Sequence, residues 1–434
     1  MPDAGEVLAT ATTETDRYRL LGHPTDLGAH IAALGPAPLP TGANRGWRDA
    51  FLALMEASGL GGRGGAGFPA AIKLAAAQGG GPGGTIVVNA MEGEPASDKD
   101  KLLLIRSPHL VLDGAQLLAT ATRARRIIVC VPEGRHHVAN AVRRALDERM
   151  AARCAPVPEV MVHPPDRFTA GEESALAGWV DSGRSLPSFR PDKGVALRIG
   201  RHAALVHNAE TLAHVAMIAR TGPAAFRNRG LAEDPGTSLV TVSGAVEHPG
   251  VVEIERGTPL IDIARRALPA GEPQALLIGG YGGAWVAPRH FATPYASLSL
   301  RAIGATAGVG IVVVLGSTAC GLMESARIVT YLAGQSAGQC GPCVYGLPAI
   351  AGDLTRLARG EADAGLLGRL DRRLREVDGR GACRHPDGAV QLARSALQVF
   401  ADDVAAHAAG APCPYWNRAS QFRFPVDAAA KVRP

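Results

Sequence analysis

From Thr85 onward the chain alternates short β-branched runs with amphipathic stretches, and this alternation restricts its fold more than any other feature. An apolar strand at Ile86-Val87-Val88 is followed by a helix from His109 to Arg123 and a strand at Ile127-Ile128-Val129-Cys130-Val131. A helix from Ala139 to Ala151 and a strand from Val157 to Val162 come next. Strand–helix–strand order of this kind joins parallel strands through crossover helices, and such sheets bind ligands at the carboxyl ends of their strands. The pattern predicts a Rossmann-like α/β domain.

Around that domain the character of the sequence changes several times. Residues 1–45 are rich in Ala, Pro and Gly with weak periodicity and read as an irregular arm. The α/β domain is placed at 46–235. Over 236–290, Val240 to Gly244 and Val251 to Ile254 flank a His-Pro-Gly turn before an amphipathic helix from Leu260 to Ala267, which suggests a β-grasp-like module. Residues 291–323 read as a connecting strand segment. The stretch Ala302 to Met323 carries no charge and is long enough to cross a bilayer. Its glycines and the β-branched run Ile311-Val312-Val313-Val314 argue instead for a buried strand. Residues 324–410 carry apolar residues at three- and four-residue spacing and should be helical, and 411–434 form a tail.

Redox chemistry is suggested by Cys340-Gly341-Pro342-Cys343 and a third thiol at Cys383. Two cysteines separated by two residues present both sulfurs to one centre, which suits an iron–sulfur cluster, a zinc ion or a dithiol couple of the thioredoxin kind. The thioredoxin motif follows a strand, whereas this one lies in a helical stretch. Seven cysteines in 434 residues are too few for a disulfide scaffold, and no basic-then-apolar leader is visible, so a reducing cytoplasm is expected. A net charge of +5 without dense Lys/Arg runs excludes nucleic acid as the expected partner. Cys130, Cys154 and Cys320 read as packing residues.

Three further segments carry chemistry. Gly61-Gly62-Arg63-Gly64-Gly65-Ala66-Gly67-Phe68-Pro69, with Lys73 beyond it, can bring backbone N–H groups and a cation to a phosphate, though a flexible loop is the plain alternative. Asn89-Ala90-Met91-Glu92-Gly93-Glu94-Pro95 follows the first strand, and Gly171-Glu172-Glu173 follows the strand ending at Val162. Each acidic pair suits ribose hydroxyls or ring nitrogens, and equally suits a helix amino terminus.

In order and spacing these segments resemble the flavin-bearing 51-kDa-type subunit of NADH:quinone oxidoreductase (complex I) and its relatives in NAD-linked hydrogenases and formate dehydrogenases. That family carries a Gly-Arg-Gly-Gly-Ala-Gly-Phe-Pro loop with its Lys, an Asn-Ala-Asp-Glu-Gly-Glu-Pro loop, a Gly-Glu-Glu loop and an Asn-Asn-Val-Glu-Thr segment. This chain has Gly62 to Pro69 with Lys73, Asn89 to Pro95, Gly171 to Glu173, and His207-Asn208-Ala209-Glu210-Thr211. The resemblance spans about residues 45–410 and implies an FMN domain, an SLBB-like β-grasp module and a helical iron–sulfur domain. It implies that Gly62, Arg63, Gly64, Gly65, Lys73, Asn89, Glu92, Gly171, Glu172 and Asn208 surround FMN. Glu94 and Glu173 would face NAD(H) as the catalytic carboxylates, with Phe68 against its rings. The implied activity is that of an NADH dehydrogenase-type oxidoreductase, with electrons passing from NAD(P)H or another donor through FMN to a [4Fe–4S] cluster. Implied partners are redox subunits such as a ferredoxin-like or 24-kDa-type protein, in the cytoplasm or peripherally on the inner face of the membrane. A scaffold or relay subunit that has lost NADH binding is the alternative.

Five departures from the family pattern stand out. Met91 replaces an Asp, His207 replaces the first Asn of a pair, Leu74-Ala75-Ala76-Ala77 lacks an aromatic, and Lys193 stands where a second aromatic is expected. The family's Ser-Cys-Gly-x-Cys-x-Pro-Cys becomes Ser336-Ala337-Gly338-Gln339-Cys340-Gly341-Pro342-Cys343, so Ala337 takes the place of one cluster cysteine. Cys340, Cys343 and Cys383 remain as implied ligands of a [4Fe–4S] or [3Fe–4S] cluster. Cys413 is the preferred fourth ligand, with His385 and Ser336 as alternatives.

Overall fold

Four parallel strands and one antiparallel edge strand make the first sheet of the computed structural model, which describes residues 19–190 and 194–424. They are β1 (Thr85–Asn89), β2 (Arg126–Cys130), β3 (Glu159–Val162), β4 (Leu197–Ile199) and β5 (His202–Asn208), in the order β3-β2-β1-β5-β4. β1 pairs in parallel with both β2 and β5, so the winding reverses between β1 and β5. Asn89 and Asn208 are register partners at the carboxyl ends of those two strands. A crevice at such a reversal is where doubly wound sheets take ligands.

Eight helices accompany this sheet among the described residues: α1 (Leu27–Leu34), α2 (Arg45–Ser58), α3 (Ala70–Gly79), α4 (Lys99–Arg106), α5 (Pro108–Thr122), α6 (His136–Ala151), α7 (Glu173–Ser182) and α8 (Ala209–Arg227). Both sheet faces are covered. Ile86, Val88 and Leu205 belong to the core that includes α5 and α8, while Val87, Ile128 and Val206 pack with Leu176 of α7. Gly114 allows α5 to lie against α8, since a Cβ there would come within 2.0 Å of the Leu212 carbonyl oxygen. The expected irregular arm contains α1. Asp26 caps it by accepting from Ala29 N–H at 2.8 Å, and His30 Nε2 bonds Asp113 Oδ2 at 3.0 Å. Leu27 N–H adds a bond to Glu148 Oε2 at 2.8 Å. Polar anchors rather than an apolar stripe dock this helix, so periodicity does not reveal it.

A short ladder of β6 (Gly230–Leu231) and β7 (Asp234–Pro235) leads to a second sheet. It contains β8 (Thr237–Gly244), β9 (Gly250–Glu255), β10 (Pro273–Ile278), β11 (Ala284–Val286) and β12 (Ile311–Gly316), ordered β11-β10-β12-β8-β9. The helices α9 (Leu260–Arg265) and α10 (Ser297–Ala302) accompany it. β12 comes from the segment expected as a connector, yet it is the central strand, antiparallel to β10 and parallel to β8. All six of its residues are buried, which explains the uncharged stretch around it. No helix among the described residues is long and apolar enough to cross a membrane.

The remaining helices are α11 (Gly321–Gly334), α12 (Leu347–Ala358), α13 (Leu366–Val377), α14 (His385–Val399) and α15 (Ala401–Ala408), with a π-turn at Pro342–Gly346. Residues 411–424 then run back as a strap. Tyr281 donates its hydroxyl to Arg423 O, Gln421 N–H bonds Glu324 Oε1 at 3.1 Å, and Arg423 reaches Asp98 at 2.6 Å.

Candidate functional site

The glycine-rich segment forms a closed loop. Gly61 and Pro69 make an antiparallel bridge, Gly62 N–H donates to Phe68 O at 2.9 Å, and α3 begins immediately afterwards. A Cβ on Gly64 would lie 3.6 Å from Asn208, so the loop passes over the end of β5. Arg63 is buried and turns the other way, its backbone N–H on Thr211 Oγ1 and its guanidinium on Pro235 O. From the first turn of α3, Lys73 forms an ion pair with Glu173 and also reaches Val206 O at 3.3 Å. Lys73 and Glu173, a hundred residues apart, therefore meet at the crevice beside the end of β5. Phe68 is half-buried on the loop's closing strand.

The two acidic loops touch. Asn89 donates to Gly171 O at 2.8 Å and accepts from Met91 N–H at 3.2 Å. A Cβ on Gly93 would come within 3.1 Å of Arg167 O and Phe168 Cα, so glycine is what allows the loops to close on each other. Glu92, at a left-handed φ of 33°, accepts from Asp100 and Lys101 N–H at 3.0 and 2.8 Å and holds the start of α4. Glu172 caps α7 through Ser174 and Ala175 N–H at 2.8 and 3.0 Å. Of each acidic pair, one carboxylate thus serves a helix amino terminus and the other faces elsewhere. Glu94 is buried, with Oε2 accepting from Tyr281 N–H at 3.0 Å and Oε1 lacking a partner among the described residues. Burial pushes its carboxyl up to about 7 against the pull of the Tyr281 N–H.

Asn208 spends its amide inside the protein: Nδ2 donates to Asp100 at 3.0 Å and Oδ1 accepts from Thr211. Behind it lies a polar knot in which only Glu210 belongs to a motif segment. Lys99 Nζ bonds Glu210 Oε2 at 2.6 Å and Asp100 Oδ1 at 3.1 Å, all three being buried. Burial alone would lower the Lys99 ammonium, but Asp100, Glu210 and Glu92 outweigh it and hold it above its ordinary range. At the lysine end the local hint is the crowded Asp98-Lys99-Asp100. Beside Asn208, His207 is buried with Nε2 lacking a partner among the described residues, and burial followed by Lys73 keeps it neutral. Met91 and Leu74 are buried in apolar cores rather than lining the crevice. Lys193 lies outside the described residues.

The Cys340 and Cys343 thiols interact directly, and Cys383 lies within electrostatic reach of both. Burial pushes the Cys343 thiol up to about 12, with Cys340 and then Cys383 adding to the shift. Cys383 is raised by burial first, with Glu172 and Cys340 contributing. Cys413 does not join them. Its sulfur lies with Cys320 and His407, their ligating atoms all within 4.8 Å, and its N–H donates to His407 Nε2 at 2.9 Å. His407 Nδ1 bonds Ala358 O at 3.0 Å, so both ring nitrogens are occupied by backbone. The strap's anchors on Glu324 and Tyr281 carry Cys413 past the amino end of α11, where Cys320 is the capping residue.

One short loop connects the two places. Phe168 N–H bonds Gln335 Oε1 at 3.3 Å, and the Phe168 ring packs edge-on to His385 at 5.3 Å and to Tyr331 at 6.3 Å. Three residues later Gly171 O is held by Asn89 in the crevice. The donor set fits two redox groups. Two buried polar atoms lack partners among the described residues, as polar cofactor edges would require: His207 Nε2 at the end of β5, near Lys73, and Glu94 Oε1 in the first acidic loop. Three thiols within electrostatic reach of one another suit the spacing of an iron–sulfur cluster's ligands better than isolated packing.

Two family models match the chain: one described as the Nuo51 FMN-binding domain, over residues 55–217, and one as the NADH-ubiquinone oxidoreductase-F iron-sulfur binding region, over 323–407. The chain is 29% identical over 389 residues to the F 2 subunit of NADH-quinone oxidoreductase from Rhizobium meliloti, covering 85% of this chain and 90% of that protein. To the F subunit of the Escherichia coli NADH-quinone oxidoreductase it is 28% identical over 375 residues, covering 82% and 83%. Among solved structures it is similar to a chain of an NAD+-reducing [NiFe]-hydrogenase in the air-oxidized state, with a TM-score of 0.75 and 30% identity. That match covers 83% of this chain and 63% of the hydrogenase chain.

Proposed function

Because the chain belongs to the family of the F subunit of NADH-quinone oxidoreductase, we propose that it is an electron-transfer flavoprotein subunit, with FMN in the β1/β5 crevice and an iron–sulfur cluster on Cys340, Cys343 and Cys383. A flavin accepts two electrons together and releases them singly, which is the chemistry such a subunit needs. The chain's own residues supply placement. The Gly62–Gly65 backbone and Lys73 hold the anionic end, and Asn89, Gly171 and His207 border the crevice. Glu92, Glu172 and Asn208 fix the loops that shape it. Glu94 holds or loses a proton near neutral pH, and Glu173 with Phe68 faces the donor, NAD(P)H or another reductant. The second sheet with α9 is the SLBB-like β-grasp module. The acceptor is a further redox subunit of ferredoxin-like or 24-kDa type, in the cytoplasm or at the inner face of the membrane.

The observation that carries this reading is the loop from Phe168 to Glu173, which bonds Asn89 in the crevice and packs on His385 beside the cysteines. Anaerobically purified protein should be yellow, release stoichiometric FMN on denaturation, contain iron and acid-labile sulfide, and bleach with NADH. Absence of flavin after reconstitution overturns the proposal. A second reading, a relay or scaffold subunit without NADH oxidation, is favoured by the burial of Met91 and Leu74. Flavin that dithionite bleaches but NADH does not would select it.

A further inference from the structure

Three thiolates leave one iron of a four-iron cluster without a protein ligand, and Ala337 offers nothing at the position where the family places the fourth cysteine. We propose that Nδ1 of His385 is that fourth ligand, an inference that rests on the cluster reading above. His385 opens α14, two residues beyond Cys383. Its Nε2 lies 2.8 Å from Leu332 O. A carbonyl oxygen only accepts, so Nε2 carries the hydrogen and Nδ1 carries the lone pair. That Nδ1 is buried and has no hydrogen-bond partner among the described residues. Metal-bound histidines have this arrangement, with one nitrogen on the metal and the other donating to a carbonyl that fixes tautomer and ring orientation.

The anchor also puts the ring in the right place. Leu332 lies in the last turn of α11, from which the chain passes through Ser336 and Ala337 to Cys340. The imidazole is therefore pinned where the cysteine loop begins, with Cys383 at its own backbone. Phe168, edge-on at 5.3 Å, restrains its rotation. Competing groups are engaged. Asp387 accepts from Gly379 N–H at 2.9 Å through Oδ1 and from Arg384 at 2.8 Å through Oδ2. Glu172 Oε2 holds the start of α7. Cys413 belongs with Cys320 and His407.

The test is pulsed electron paramagnetic resonance on the full chain, purified anaerobically, reduced with dithionite and carrying 15N-labelled histidine. Iron and sulfide analysis gives the cluster content of the same sample. A four-iron cluster with a nitrogen hyperfine coupling that follows the histidine label and vanishes in His385→Ala is the expected result. His385→Cys should keep four irons, lose the nitrogen coupling and lower the midpoint potential, since histidine in place of cysteine raises cluster potentials. A four-iron cluster without histidine coupling, a coupling that survives in His385→Ala, or a three-iron cluster in unaltered protein overturns the assignment. A preparation lacking acid-labile sulfide after reconstitution instead removes the cluster reading itself, so the two failures are distinguishable.

Discussion

Replacing Glu94 by Gln should make the variant more stable, relative to the unaltered protein, at alkaline pH than at acid pH. In the folded chain this carboxyl titrates at about 7, against an ordinary value of 4.5, because burial penalises the carboxylate. Between those two values the folded state keeps a proton that the unfolded state has released. Stability therefore falls as pH rises through this window, at about 1.36 kcal/mol per pH unit, and levels off above pH 7 having lost about 3 kcal/mol. Gln cannot ionise, and its carbonyl can still accept from Tyr281 N–H. Any cost of placing the amide NH2 where Oε1 lacks a partner is the same at every pH and cancels between the two conditions. Thermal unfolding of both proteins at pH 5 and pH 8, at matched flavin content, reads the difference. At about 2–4 °C per kcal/mol for a domain of this size, the variant should gain several degrees relative to the unaltered protein on going from pH 5 to pH 8. A difference that stays constant with pH, or moves the other way, refutes the claim that a buried, proton-retaining carboxyl sits beside Tyr281.

Other outcomes follow from the same geometry. Cys340→Ser should sharply reduce iron and acid-labile sulfide, whereas Cys413→Ser should leave both unchanged because its sulfur lies with Cys320; the reverse pattern refutes the ligand set. Lys73→Met removes a charge-assisted contact worth about 1.5–3 kcal/mol and should weaken FMN retention about 10- to 100-fold, measured by flavin fluorescence on dilution; unchanged retention places the phosphate elsewhere. Gly114→Ala forces a Cβ to 2.0 Å from Leu212 O and should cost about 3 kcal/mol or more by overpacking, visible as a lower urea midpoint; an unchanged midpoint refutes the α5–α8 contact.

What the sequence discloses depends on how local the cause is. β1, β2 and α5 are legible within a residue or two because they are continuous apolar runs, buried on both faces and bounded by polar or glycine turns. The role of β12 is not, since a central strand is defined by β8 and β10, which lie far away in the chain. α1 escapes notice because Asp113 and Glu148 dock it. At the site, the glycine loop and the three cysteines are legible as compact motifs, as are Glu92 and Glu172 when read as helix amino-terminal carboxylates. The Lys99–Glu210 bond joins residues more than a hundred positions apart, so no spacing rule finds it. Cys413 is attractive on chemistry alone, and only the path of the strap shows that it is engaged elsewhere.

The departures from the family pattern are unevenly placed, and their placement carries information. Met91 and Leu74, which stand where an acid and an aromatic are expected, are core residues here. His207 is likewise buried, with Lys73 nearby. The elements between the crevice and the cysteines are held from both ends: Asn89 fixes Gly171, Gln335 fixes Phe168, and Gly93 lets the acidic loops touch. Electron transfer between two fixed groups moves no heavy atoms, so what the protein must supply is constant separation and orientation. A loop bonded at both ends supplies this, and a change at its centre would disturb both sites together. The bonded loop therefore holds the β1/β5 crevice and the cysteine turn in one fixed arrangement.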